Sequence, residues 1–136
     1  MSSKVIASKD GLILVAGIDE PFAVRTGGDV AGDTRLHHDG GHRPGYLVSG
    51  HRTYTDLVVR RGLKPDRDWE LIRLMLTRVL DWETTVSQSP TDANGLVVGS
   101  PIVWTCLLKG VNPSESDANS ADPSMFQLTF AVSGVA

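Results

Sequence analysis

Apolar and polar positions alternate along much of this chain, and the period shifts from segment to segment. Leu12-Ile13-Leu14-Val15-Ala16 is a continuous apolar run between Gly11 and Gly17, the pattern of a short strand covered on both faces. Phe22-Ala23-Val24 reads as a second short strand after Pro21. From Thr53 to Arg61 the period is two: Thr53, Thr55, Leu57 and Val59 share one face, and Tyr54, Asp56, Val58 and Arg60 the other. Neither face is purely polar, as expected of a strand whose outer face meets another subunit.

The period changes to that of a helix between Asp66 and Trp82. Trp69, Ile72, Met75, Leu76, Val79 and Leu80 fall on one side, while Arg67, Glu70, Arg73, Thr77 and Asp81 fall on the other. Asp66 is placed to cap the helix, and Asp68 and Glu70 put negative charge in its first turn. Strand periodicity then returns over Glu83–Gln88 and breaks at a turn over Ser89–Gly95. Strand resumes at Leu96-Val97-Val98 and Ile102–Lys109, on either side of Gly99-Ser100-Pro101. Ile102, Trp104, Cys106 and Leu108 alternate inward. Asn112–Pro123 is a polar loop. Phe126, Leu128, Phe130 and Val132 then alternate with Gln127, Thr129 and Ala131 in the cleanest strand of the chain. These elements predict a mainly β fold of the α+β kind: a small antiparallel β-barrel or sandwich with one amphipathic helix packed on it.

Thr26–Gly45 stands apart. It is rich in Gly, Asp and His, and its one plausible strand fragment is Arg35-Leu36-His37. Some twenty such residues are unusual inside a compact domain and are commonly functional. The expectation is a long glycine-rich arm, an extended loop or flexible hairpin over about 26–45 that orders against a neighbour.

Length and composition narrow the class. A chain of 136 residues reads as a single domain over 1–136, able to bury roughly two thirds of its unfolded surface without disulfide or metal. A formal charge of −3 gives no net attraction for nucleic acid. The single cysteine, Cys106, excludes an internal disulfide framework and sits in an apolar run, so it reads as a buried, inert thiol. The start of the chain shows no long apolar segment of the signal or membrane-spanning kind, which points to synthesis in the cytoplasm.

Candidate chemistry is sparse. Four histidines lie between positions 37 and 51: His37, His38, His42 and His51. With Asp33 or Asp39 they suggest a metal site, but adjacent histidines on a loop seldom converge on one ion, and solvated or interface histidines are favoured. Gly27-Gly28 and Gly40-Gly41 lack the Lys-Ser/Thr of a phosphate loop. Val48-Ser49-Gly50-His51 is not a nucleophile elbow. The pairs Asp19/Glu20 and Asp66/Asp68 are explained by a loop and by helix capping. No catalytic, metal or cofactor residue emerges, and the expectation is a protein that is not an enzyme. Arg60 and Arg61, beside Asp56, Asp66 and Asp68, read as exposed ion pairs of small energetic worth, able to set register between subunits in a polymer.

The order of a Gly40-Gly41 loop, a Ser49-Gly50 turn, the strand Thr53-Tyr54-Thr55-Asp56-Leu57-Val58-Val59-Arg60-Arg61-Gly62 and an acidic, Trp69-containing helix opening resembles the tail tube proteins of phages and contractile injection systems. The resemblance runs over roughly Phe22–Val132. The opening Leu12–Asp19 is a loose counterpart of that family's first strand. The resemblance implies hexameric rings stacked into a hollow tube that encloses a tape-measure protein and later passes DNA without specific binding. It implies further partners in a sheath and in terminator or baseplate proteins, no membrane, and a location in the virion tail. It also implies that the segment resembling Thr34–Gly45 reaches a neighbouring ring, and that the helix packs outside the barrel. Candidates for contacts between subunits are then Arg35, His37, His38, Asp39, Arg43, Tyr46, Arg60 and Arg61, and candidates for the lumen wall are Asp56 and Arg60.

Physical reasoning points the same way: closing subunits edge to edge removes exposed strand edges, and a head-to-tail contact that does not close makes a filament. Two alternatives stand: an inner-tube or secreted ring protein of a contractile injection system, and a β-sandwich ligand-binding module. The last calls for an aromatic-lined groove, and the three Trp, two Tyr and three Phe mostly fit core positions.

Overall fold

The computed structural model describes residue 7 and residues 11–37, 46–114, 119 and 123–136. Its elements in chain order are β1 (Gly11–Val15), β2 (Val24–Gly27), β3 (Val30–His37), β4 (Tyr46–Tyr54), β5 (Leu57–Gly62), α1 (Pro65–Leu76), β6 (Glu83–Pro90), β7 (Ile102–Asn112) and β8 (Met125–Val135). Six strands form one sheet in the order β1-β6-β7-β8-β5-β2, and β3 and β4 form a separate two-stranded ribbon. Every pairing is antiparallel. The large sheet nearly closes on itself, because Phe22, just before β2, bridges to Ile13 of β1 and donates its N–H to the Ile13 carbonyl at 2.8 Å. The result is the mainly β, small-barrel architecture with one helix that the sequence predicts.

Inward positions follow the period-two pattern. Phe126, Leu128 and Phe130 of β8 are fully buried, and Leu57 and Val59 of β5 and Trp104, Cys106 and Leu108 of β7 join them in the core. Register shifts between Thr105 and Cys106 and between Leu108 and Gly110 let the long β7–β8 pair curl towards closure. β1 departs from expectation. Ile13 and Val15 point inward, but Leu14 is 39% exposed, because a strand at the margin of this sheet is covered on one face only.

Thr53–Arg61 is two strands rather than one. The chain breaks at Thr55-Asp56, where β4 turns away to pair with β3 and β5 stays in the barrel. Gly27 makes this branching possible. Its φ is +77°, and a Cβ there would sit 1.8 Å from the Asp56 carbonyl oxygen. Trp104 fixes the same corner by donating its indole N–H to the Gly28 carbonyl at 2.9 Å. The expected loop is thus a hairpin ribbon whose first strand begins at Val30, with a bulge between Gly32 and Thr34.

The helix is shorter than predicted and differently oriented. It starts with Lys64 as its N-cap and Pro65 in the first turn, so Asp66 is not the cap, and it ends at the C-cap Thr77. Beyond it the chain turns through Leu80, at φ +66°, to feed β6. Ile72 and Met75 face the core, whereas Trp69, Leu76 and Leu80 are exposed. The third inward position is Asp68, not an apolar residue. Leu96-Val97-Val98 is also not a strand: it belongs to an ordered turn with an isolated bridge between Thr91 and Val97 and hydrogen bonds to Asp92 and Pro90.

Strand register gives the barrel two distinct ends. Both termini of α1 attach at one end, after Gly62 of β5 and before Glu83 of β6. The β3–β4 ribbon, leaving between Gly27 and Leu57, and the turn between Pro90 and Ile102 lie at the other.

Candidate assembly surfaces

The helix end is organised by a cluster of charges that the fold buries. Arg61, the inward residue near the end of β5, is 3% exposed and Asp68 is completely buried; they pair at 2.6 Å. Arg61 also donates to the carbonyls of Asp19 at 2.7 Å and Glu20 at 2.8 Å, tying the β1–β2 turn to the helix. Its guanidinium lies over the Phe22 and Phe126 rings, 4.5 and 5.3 Å from their centroids. Arg67 completes the cluster, bonding to Asp68 at 2.7 Å and to the outer carboxylate of Glu20 at 2.7 Å.

Burial pushes the Asp68 carboxyl upward. The hydrogen bonds from Arg67, from the Lys64 backbone N–H and from Arg61 outweigh that push and hold it below its ordinary value. The Glu20 carboxyl is lowered as well, chiefly by its hydrogen bond from Arg67. Arg67 is raised, first by Asp68.

These positions correct the sequence reading. Arg61 is not an exposed residue available to a neighbouring subunit, because it is buried and both of its terminal guanidinium nitrogens are committed inside the fold. Asp68 is not merely a first-turn charge. The signal was present in the sequence, since Asp68 stands at the i, i+4, i+7 spacing with Ile72 and Met75 on the core face.

Arg60 is exposed on the outward face of β5, opposite Val24 of β2 and Gln127 of β8. Asp56 is exposed and pairs at 2.6 Å with Lys109, which reaches from β7 across β8. The outward face therefore carries charges of both signs among threonines and other uncharged residues. Arg35, His37 and Tyr46 belong by backbone to the ribbon, in β3 and β4. His38, Asp39, His42 and Arg43 lie outside the described residues, and His51 is exposed in β4. Among the described residues no three His, Cys, Asp or Glu side chains gather as a metal site. Cys106 is buried, and burial pushes its thiol up to about 11.

Two depressions flank the helix. One of about 560 Å³ opens beside its first turn, between Phe22, Leu63, Lys64, Arg67 and Pro123. The other, about 540 Å³, lies along its outer face and is lined by Glu70, Arg73, Leu74, Leu76 and Thr77.

No protein-family model matches the sequence, and no curated protein matches it. The fold, however, is found in solved particles. The chain is similar to one in the cryo-EM structure of the anti-feeding prophage cap, described as a tube-terminating cap: TM-score 0.78, 18% identity, covering 100% of this chain and 92% of that one. It is similar to a chain of the sheath/tube terminator of an extracellular contractile injection system, PVC, in its extended state: TM-score 0.78, 20% identity, covering 100% and 98%. A chain of the sheath-tube complex of the same system gives TM-score 0.71 and 21% identity, covering 97% and 90%. At these identities the likeness establishes a shared tail-tube-type fold.

Proposed function

We propose that this chain is a structural subunit of a tail tube, assembling as hexameric rings that stack into a hollow conduit. The observation that carries the reading is the reciprocal coverage: the fold matches tube-associated chains over nearly the whole of both partners. A barrel with a ribbon standing off one end and a helix fixed at the other also supplies the two unlike ends that a head-to-tail polymer needs.

In this reading the β3–β4 ribbon, which carries Arg35, His37 and Tyr46, contacts the adjoining ring, and His38, Asp39 and Arg43, which fall between its two strands in sequence, take part in the same contact. The outward face bearing Asp56 and Arg60 lines the lumen. Its partners are further copies of itself, a tape-measure protein, a sheath, and terminator or baseplate proteins, and DNA passes without specific binding. The protein is made in the host cytoplasm and resides in the particle tail. A second reading, the inner tube of a contractile injection system, is favoured by the source of the similar chains, which come from the anti-feeding prophage and PVC.

Negative-stain microscopy of the purified protein at increasing concentration tests the shared claim. Rings or tubes are expected. Monodisperse small particles at every concentration, with no growth from added tube seeds, would overturn both readings.

A further inference from the structure

The ribbon leaves the barrel through the most permissive joint a chain can offer, two consecutive glycines. Gly27 and Gly28 both take left-handed backbone angles, φ +77° and +78°. Glycine moves through that region at no steric cost, so an unrestrained pair would let the ribbon swing. Packing does little to hold its direction. Val30–Thr34 and Gly50–Thr53 are exposed, and the ribbon's described contacts with the barrel lie chiefly between β4 and β8. The two legs are tied to each other at the root, where the Thr55 N–H donates to the Asp29 carbonyl at 3.0 Å and the Asp29 N–H to the Thr55 hydroxyl at 2.9 Å. Those bonds hold the legs together without aiming them.

Aim comes from inside the barrel. Arg25 of β2 stands opposite the buried Val59 of β5 and so points inward. Its Nη1 donates to the Gly27 carbonyl and its Nε to Oε1 of Gln88. Gln88 belongs to β6, on the far side of the seam where the sheet margins β1 and β2 meet. The same guanidinium lies over the Trp104 ring, 5.0 Å from its centroid, and Trp104 donates to the Gly28 carbonyl at 2.9 Å. Both carbonyls of the glycine joint are thus caught, one by Arg25 and the next by the indole on which Arg25 stacks. Only a planar fork serves two acceptors while its face rests on a ring.

We infer that Arg25 is a positioning residue: bonded to Gly27 and Gln88 and stacked on Trp104, it fixes the direction in which the β3–β4 ribbon leaves the barrel, and so presets the ribbon for the adjoining ring. The link to the ring rests on the tube reading. A ribbon aimed correctly for only roughly a tenth of the time would need about ten times the subunit concentration to dock, and holding it in one direction removes that penalty.

Distance measurement by pulsed electron paramagnetic resonance tests the aim directly. Nitroxide labels are placed on the full chain at Arg52→Cys in the ribbon and Glu83→Cys at the opposite end of the barrel, both exposed positions; the buried Cys106 takes no label. A narrow distance distribution is expected with Arg25 present. With Arg25→Met, the distribution is expected to broaden at least twofold while the barrel stays folded. Arg25→Lys, which keeps the charge and loses the fork, is expected to fall between. Should Arg25→Met fail to fold, Gln88→Met, which frees Arg25 from β6, is read in its place. A folded variant with a distribution as narrow as the parent's overturns the role of Arg25 and leaves the tube reading standing. In unlabelled chains Arg25→Met is expected to raise the concentration needed for rings or tubes about tenfold. Broadening with no change in that concentration overturns the link to assembly. If the wild type never assembles, the tube reading fails together with that link, and the distance distributions alone decide whether Arg25 aims the ribbon.

Discussion

Arg61 and Asp68 form an ion pair at 2.6 Å with almost no access to water, linking the end of β5 to the first turn of α1. They lie seven positions apart in the chain, and together with Arg67 and the Asp19 and Glu20 carbonyls they fasten three segments at one end of the barrel. Removing one partner of such a pair leaves a buried charge without compensation. Asp68→Ala is therefore expected to lower unfolding free energy by about 3–5 kcal/mol, measured by urea titration. Replacing both members by apolar residues, as in Arg61→Met with Asp68→Leu, is expected to recover part of that loss. A loss below about 1 kcal/mol for Asp68→Ala would show that the pair is not structural.

Acid should act on the same contact. The folded state holds the Asp68 carboxyl below its ordinary value of 3.8, so the unfolded chain binds the proton more readily. The stability that Asp68 contributes is complete above 3.8 and is lost as pH falls through its lowered folded value. Denaturant titrations at successive pH values are expected to show wild-type stability falling below that point. The Asp68→Asn variant, already weakened, should show a shallower fall. Parallel slopes for the two proteins would remove Asp68 from the acid response.

The Arg61–Asp68 cluster runs against the binary pattern of the sequence. The binary pattern that revealed β8 assumes that charge points outward, and Phe126, Leu128 and Phe130 obey it. Arg61 and Asp68 break it, since each occupies an inward position and is tolerated there only because the other is present. The helix is shorter than its apolar spacing predicts. Val79 and Leu80 continue the helical spacing, but the chain leaves the helix at Thr77 so that Trp82 can pair with Leu108 beside β6. The ribbon was hidden because its described side chains, from Val30 to Thr34 and from Gly50 to Thr53, are exposed, so no apolar face marked it as strand. As for the candidate surfaces, the glycine-rich stretch was legible as an arm. Leu96-Val97-Val98 has the pattern of a strand and forms an exposed turn instead, because an apolar run carries no mark of the face it will show.

The branch point of the ribbon offers a test free of assembly. A Cβ on Gly27 would lie 1.8 Å from the Asp56 carbonyl oxygen at a backbone φ of +77°, whereas one on Gly32 meets nothing within 4 Å. Gly27→Ala must both strain its backbone and push the β4–β5 junction aside, and a loss of about 3 kcal/mol or more is expected. Gly32→Ala is expected to change stability by less than about 1 kcal/mol. Thermal unfolding of the two variants side by side decides the matter, and equal melting temperatures would mean that the ribbon does not depend on close approach at Gly27.

Charge on the outward face bears on what a conduit would do to its cargo. Asp56 and Lys109 pair at 2.6 Å, both well exposed, so the pair contributes at most about 1 kcal/mol to folding. Asp56→Lys should therefore leave the subunit folded. It changes the charge by two units per copy and leaves Lys109 without its partner beside a second lysine. If this face lines a lumen, every ring gains a belt of cations at one height. DNA that slides past the wild-type wall would then be retained at low salt. The retention should fall steeply as salt rises, with a slope set by the number of phosphates engaged. Co-sedimentation of labelled DNA with assembled tubes, across a salt series, measures this directly. Salt-dependent retention by Asp56→Lys tubes and none by wild-type tubes is the expected result. Should the variant fold but fail to form tubes, Asp56 faces a neighbouring subunit, where the added lysine is repelled. Tubes that form normally and ignore DNA at every salt concentration would place this face on the outside of the conduit.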